Sequence, residues 1–168
     1  LRLGEPDFKT PEFIKTAAKE AIDQNFSKYT PVPGYKDLLH TISNKFQRDN
    51  QLIYNENQIV CSTGAKQSIA QLLMVLLNKN DEVILPAPYW VSYYQMIKLA
   101  EGKPHVIQTS IDTDFKISPQ QLEENISTKT KAFLFSSPCN PTGSVYSKQE
   151  LYDLANVFQK HPEVTIIS

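Results

Sequence analysis

Ser62-Thr63-Gly64-Ala65-Lys66-Gln67 sets two hydroxyls, a glycine and a cation in succession where an apolar run gives way to helical spacing. Ile69, Leu72, Leu73, Leu76 and Leu77 recur at that spacing, which predicts a helix starting near Gly64. Ahead of it, Ile59-Val60-Cys61 reads as a buried strand. A strand feeding a helix through Ser-Thr-Gly offers free backbone N–H groups and the positive end of a helix dipole. The chemistry of such a turn is anion binding, with phosphate the commonest occupant. The heptapeptide from Cys61 reads equally as a plain turn in which glycine allows tight packing, and alone it does not choose. Trp90, after Pro88-Tyr89, is either a stacking surface or a core aromatic. Asn140, before Pro141, is either a hydrogen-bond donor to a ligand or a turn residue.

These positions depend on the elements around them. Gly4-Glu5-Pro6-Asp7-Phe8 is a turn-rich link, after which Thr10 is expected to cap a helix with Pro11 at its first position. Phe13, Ile14, Ala17, Ala18, Ala21 and Ile22 make its apolar stripe, to about Asn25. The loop Tyr29 to Gly34 is stiffened by Pro31 and Pro33, and a second amphipathic helix follows with Leu38, Leu39, Ile42 and Phe46. From Ile59 the order is strand, helix, strand, helix. Glu82–Leu85 is a strand that Pro86-Ala87-Pro88 is expected to break, and Tyr89 to Ala100 reads as helix. Val106-Ile107 is a short strand, Ser118 to Gln121 a capping box, and Lys131–Phe135 a strand running into Pro138–Gly143. Ser147 with Glu150 caps the last helix, and Val164–Ile167 is the last strand.

Continuously apolar strands alternating with helices predict an α/β fold of three layers, a mostly parallel sheet with helices on both faces. The loops after Cys61, Leu85 and Phe135 all follow strand carboxyl ends, where ligands collect in such sheets, so they are expected to share one crevice.

Composition narrows the partners. The 168 residues are 40% hydrophobic and 21% charged, with a net charge of -1 and no basic run, giving no electrostatic support for nucleic acid or membrane partners. No stretch approaches the ~18 apolar residues of a membrane span, and no signal-peptide pattern opens the chain. Cys61 and Cys139 are too few for a disulfide framework or a zinc site, so no metal is expected and a reducing cytoplasm fits best. The chain opens at Leu1-Arg2-Leu3 without Met and stops in the apolar run Val164–Ile167, so it reads as a segment of a longer protein.

Five landmarks in sequence are Gly4-Glu5-Pro6-Asp7-Phe8, Tyr29-Thr30-Pro31, Gly64-Ala65-Lys66-Gln67, Pro88-Tyr89-Trp90-Val91-Ser92-Tyr93 and Asn140-Pro141-Thr142-Gly143. In order and spacing they resemble class I pyridoxal-phosphate aminotransferases, and most closely the bacterial aspartate aminotransferase subgroup, some of which also use prephenate. The resemblance covers nearly the whole chain. It implies that residues 1–34 form an N-terminal link, first helix and interface loop, and that 35–168 begin the cofactor-binding large domain of the fold type I transferase fold. The remainder of that domain and a small domain would lie elsewhere.

The resemblance also implies roles. Backbone amides of Gly64, Ala65 and Lys66 would hold the phosphate of pyridoxal 5'-phosphate, Trp90 would stack on its ring, and Asn140 would donate to its phenolate oxygen. Tyr29 would cross a homodimer interface to the partner's phosphate. Gly4 would lie against the substrate carboxylate, and Lys66 would meet the distal carboxylate of a dicarboxylic substrate, with Trp90 and Asn140 also facing the substrate. Peptide bonds before Pro88 and Pro141 are expected to be cis. Leu39 stands where relatives often have Arg, and is expected to pack. His40, His105 and His161 match no catalytic position. The Schiff-base lysine, the aspartate pairing with the pyridine nitrogen and the arginine for the α-carboxylate are all expected beyond Ser168, so no catalytic residue is expected within the chain. The implied reaction moves an amino group between a dicarboxylic amino acid, aspartate, and the 2-oxo acid 2-oxoglutarate. Rival readings are another fold type I enzyme such as a carbon–sulfur lyase, and a nucleotide-binding module. The second lacks both Gly-x-Gly-x-x-Gly and a Gly-Lys-Ser/Thr ending.

Overall fold

The computed structural model describes residues 7–168, and the Gly4 landmark lies outside them. The chain divides into two compact units, Leu1–Cys61 and Ser62–Ser168.

The first unit is helical. Helix α1 spans Glu12–Asp23 and α2 Lys36–Asn50, and a 3-10 turn follows at Glu56–Gln58. Thr10 does not cap α1: Pro11 occupies the cap position and no side chain bonds there. Proline fixes the extended-to-helical turn by its ring, and its carbonyl accepts the Ile14 and Lys15 N–H groups. Around α2, Phe46 meets Tyr54 edge-on at 5.8 Å and the Ser43 hydroxyl donates to the Tyr54 carbonyl, folding the tail back along the helix. His40 pairs with Glu56 at 2.9 Å, and Leu39 is buried as packing. The strand expected at Ile59–Cys61 is absent. Ile59 is extended and buried, but Val60 is 66% exposed, and the Cys61 N–H bonds only the Pro33 carbonyl. Extended backbone becomes a strand only beside a partner, and no strand pairs with it among the described residues.

In the second unit, α3 (Ala65–Leu76) precedes β1 (Glu82–Ala87), α4 (Ser92–Leu99), β2 (Lys103–Gln108), α5 (Pro119–Asn125), β3 (Thr130–Leu134), α6 (Lys148–Phe158) and β4 (Thr165–Ile167). The four strands form one sheet in the order β2-β1-β3-β4, and every pair is parallel. Alternation along the strands builds two cores. Val83, Leu85, Ala132, Leu134 and Ile167 face α3 and α4, where they meet Leu73, Leu77, Met96 and Ile97. Ile84, Phe133 and Ile107 face α5 and α6, where they meet Leu122, Leu154, Val157 and Phe158. Helices therefore cover both faces, and the architecture is the expected three-layer α/β fold.

Several boundaries differ from expectation: β2 runs over Lys103–Gln108 rather than Val106-Ile107 alone, and β3 over Thr130–Leu134 rather than Lys131–Phe135. Pro86 does not end β1, which runs on to Ala87, because β1 pairs with β3 only as far as Ile84. Proline lacks an N–H to give, and on that side no ladder asks for one. Helix α4 starts at Ser92 rather than Tyr89, since Pro88 to Trp90 form the turn that precedes it. Both capping boxes are present: Ser118 with Gln121 and Ser147 with Glu150 each exchange side-chain and backbone bonds. The bonds before Pro88 and Pro141 are cis as expected, and so is the bond before Pro138.

Candidate active site

The chain order of the strands locates a crevice. From β1 the chain crosses to β2 on one side, and β3 and β4 then add on the other. The order reverses between β1 and β3, and in parallel sheets ligands sit outside the carboxyl ends of strands at that reversal. A cavity occupies this place, lined by Pro86 near the end of β1 and Pro88 just after it, by Leu134, Phe135 and Ser136 at the end of β3, and by Cys139.

Glycine opens the turn that leads into α3. Gly64 has φ 82° and ψ 162°, a conformation essentially reserved for glycine, and it is the cap residue of α3. The carbonyl of Gly64 accepts the Gln67 and Ser68 N–H groups, the Gln67 side chain takes the Thr63 N–H at 2.6 Å, and the Gly64 N–H goes to Ser62. Among the described residues nothing accepts from the Ala65 or Lys66 N–H, and the first turn of α3 carries no acid. Two open donors at the uncompensated positive end of a 12-residue helix suit a phosphate.

Two contacts tie the three loops together. The Lys66 ammonium lies 5.0 Å from the centre of the Trp90 ring, joining the Gly64 turn to the loop after β1. The Cys139 thiol donates to the Pro88 carbonyl at 3.4 Å, joining the loop after β3 to the same place. Trp90 is steadied from beneath by Tyr93, whose ring meets it edge-on at 5.4 Å. Tyr93 closes the Pro88–Tyr93 landmark, but the sequence assigns it no role of its own; its spacing of three from Trp90 at the start of a helix is the signal for this contact.

The loop carrying Asn140 is closed on itself: Cys139 donates its N–H to the Ser144 carbonyl, and Gly143 donates to Cys139. Ser144, almost fully buried, donates its hydroxyl to Asp114 at 3.2 Å. Asp114 also meets Lys116, which bonds Glu150 at 2.9 Å, so the loop is anchored to the start of α6. Backbone donation from Ser147, with the Lys116 ammonium beside it, holds the Glu150 carboxyl down at about 2. Glu150 in turn raises Lys116 above its ordinary value. Burial pushes the Tyr146 hydroxyl up while it accepts the Ile117 N–H. Asn140 is itself exposed, and no hydrogen bond among the described residues engages its amide.

Gly64, Ala65, Lys66, Trp90 and the Asn140 loop are thus linked in one unit, whereas Tyr29 lies in the other, fully exposed. The described residues hold no group of three side chains suited to a metal. His105 bonds Asn125 and His161 bonds Glu123, both away from the crevice residues.

The second unit is thus a parallel α/β fold in which side-chain contacts link the Gly64 turn, the Trp90 loop and the loop carrying Asn140. The chain belongs to the family described as aminotransferase class I and II, whose profile matches residues 1–168. It is 49% identical over its whole length to the aspartate/prephenate aminotransferase of Cereibacter sphaeroides, of which it spans 42%. Among solved structures, the aspartate aminotransferase from Rhizobium meliloti superposes with a TM-score of 0.95 at 41% identity, over 98% of this chain and 41% of that one. The Thermus thermophilus aspartate aminotransferase with maleate gives 0.93 at 37% identity, over 97% of this chain and 43% of that one. The chain therefore spans about two-fifths of the length of the relatives it matches. No helix among the described residues is long and apolar enough to cross a membrane.

Proposed function

We propose that the protein containing this chain is a pyridoxal-phosphate-dependent aminotransferase that moves an amino group between aspartate and 2-oxoglutarate. The observation that carries the reading is the Lys66–Trp90 contact of 5.0 Å beside two open amides of α3. It gathers an anion seat, a flat apolar surface and a cation, the set a phosphorylated aromatic cofactor and a dicarboxylic substrate require. The names of the relatives, and the maleate in the Thermus structure, support a dicarboxylic substrate for this chain too.

The residues fit the cofactor. Ala65 and Lys66 amides, following Gly64, would hold its phosphate, the Trp90 indole would cover its ring and exclude water, and the Asn140 amide would donate to its phenolate oxygen. When bound, pyridoxal phosphate supplies an electron sink for the bonds at the substrate's α-carbon. Lys66 would leave the indole to pair with the distal carboxylate, and Gly4 would let the substrate's other carboxylate approach the backbone. Tyr29 would reach the phosphate of a second subunit in a homodimer. Residues 1–34 would serve as link and interface, and 35–168 as the first part of the large domain. The Schiff-base lysine would come from the rest of the protein, so the 168-residue chain alone is expected to be inactive.

The test is an absorbance spectrum of the full-length protein with added pyridoxal phosphate, then with aspartate. A visible band that moves toward the ultraviolet on adding aspartate is the expected result. A band that ignores aspartate but responds to cystathionine would transfer the assignment to a carbon–sulfur lyase. No band at all would overturn the reading.

A further inference from the structure

Cys139 stands immediately before Asn140, and its groups serve two different structures. Its backbone closes the Asn140 loop, donating to Ser144 and accepting from Gly143 at 2.7 Å. Its side chain leaves the loop and donates to the Pro88 carbonyl at 3.4 Å. Pro88 lies two residues before Trp90, so the thiol links the residue before the amide to the chain that carries the indole. Behind it the loop is held by Ser144 on Asp114, and the Ser137 hydroxyl accepts the Tyr146 N–H at 3.0 Å. These fix the loop's base, and among the described residues only Cys139 bonds its tip to the segment after β1.

We propose that Cys139 is a positioning residue: its thiol sets the spacing between the Trp90 surface and the Asn140 amide, and so the strength of the hydrogen bond Asn140 gives the cofactor oxygen. The inference rests on the functional reading above. A sulfur donor suits the task by reach, since the C–S bond is long and the thiol spans a gap that a hydroxyl closes only if the two loops approach. Nothing in the contact requires the thiol to react.

The experiment uses the full-length protein and its Cys139→Ala and Cys139→Ser variants. Three quantities are read: affinity of the apoprotein for pyridoxal phosphate, the pH midpoint of the visible band, and the melting temperature of the apoprotein. Loss of one modest hydrogen bond predicts about three- to tenfold weaker binding in Cys139→Ala. The midpoint is expected to rise by about half a unit, because an oxygen that loses a donor holds its proton more tightly. Cys139→Ser, which keeps a shorter donor, is expected to lie between, with apoprotein melting little changed in either. Wild-type binding and midpoint in Cys139→Ala would overturn the inference alone, as would equal impairment of both variants or a fall in melting temperature without a change in midpoint. A wild-type protein that takes up no cofactor would overturn the functional reading and this inference with it.

Discussion

If Lys66 meets the distal carboxylate as proposed, removing its ammonium is expected to separate two substrate types. Its contact with the Trp90 ring is a resting place that costs little to leave, since an exposed cation on an aromatic face gains only ~0.5–1 kcal/mol. A charge-assisted bond to a carboxylate contributes about 1.5–3 kcal/mol, enough to draw it away. Lys66→Ala is therefore expected to lower kcat/KM for aspartate by about 10- to 150-fold, while alanine, which lacks the distal carboxylate, changes far less. Parallel steady-state kinetics on the two amino acids check this, and equal losses would place Lys66 in phosphate binding instead. Residue type and neighbours alone give Gly64, Lys66, Trp90 and Asn140 a possible chemistry each. The thiol bond from Cys139 to Pro88 is not legible in this way, because residues 51 positions apart carry no mutual signal in one sequence.

Among the elements, α6 offers the sharpest pH test. Ser147 accepts the Glu150 N–H at 3.2 Å while Glu150 takes the Ser147 N–H at 2.6 Å and pairs with Lys116. Ser147→Ala is expected to cost about 1 kcal/mol by denaturant titration at neutral pH. The Glu150 carboxyl sits at about 2, below its ordinary 4.5. A folded-state value lowered in this way gives stability that is complete above the unfolded value and drains as pH falls from about 4.5 toward 2. Glu150→Gln keeps a capping acceptor but cannot titrate, so its unfolding midpoint should fall less steeply with acid over that window. An unaltered acid slope would show that the pairing does not persist in solution. Both capping boxes were visible as Ser-x-x-Gln and Ser-x-x-Glu, since a cap is local chemistry. The Ile59–Cys61 strand failed for the opposite reason: apolar residues announce an extended segment, but a ladder needs a neighbour that the local pattern cannot supply.

At the scale of the whole molecule, parallel strands with helices on both faces followed from apolar runs alternating with helical stripes, but the strand order did not. Nothing in Glu82–Leu85 or Lys131–Phe135 states that β3 lies beside β1 on the side away from β2; the pairing is a long-range outcome of crossovers. That order has a consequence for how the sheet breathes. Six registers join β1 to β2, whereas β1 meets β3 over three, with a shift between Glu82 and Val83. The crevice lies where this short ladder gives out, so a ligand bound there would bridge the two halves of the sheet above the seam that joins them. Under deuterium exchange, cofactor should slow isotope uptake in the β1–β3 ladder more than in β1–β2, making the seam itself a recorder of occupancy.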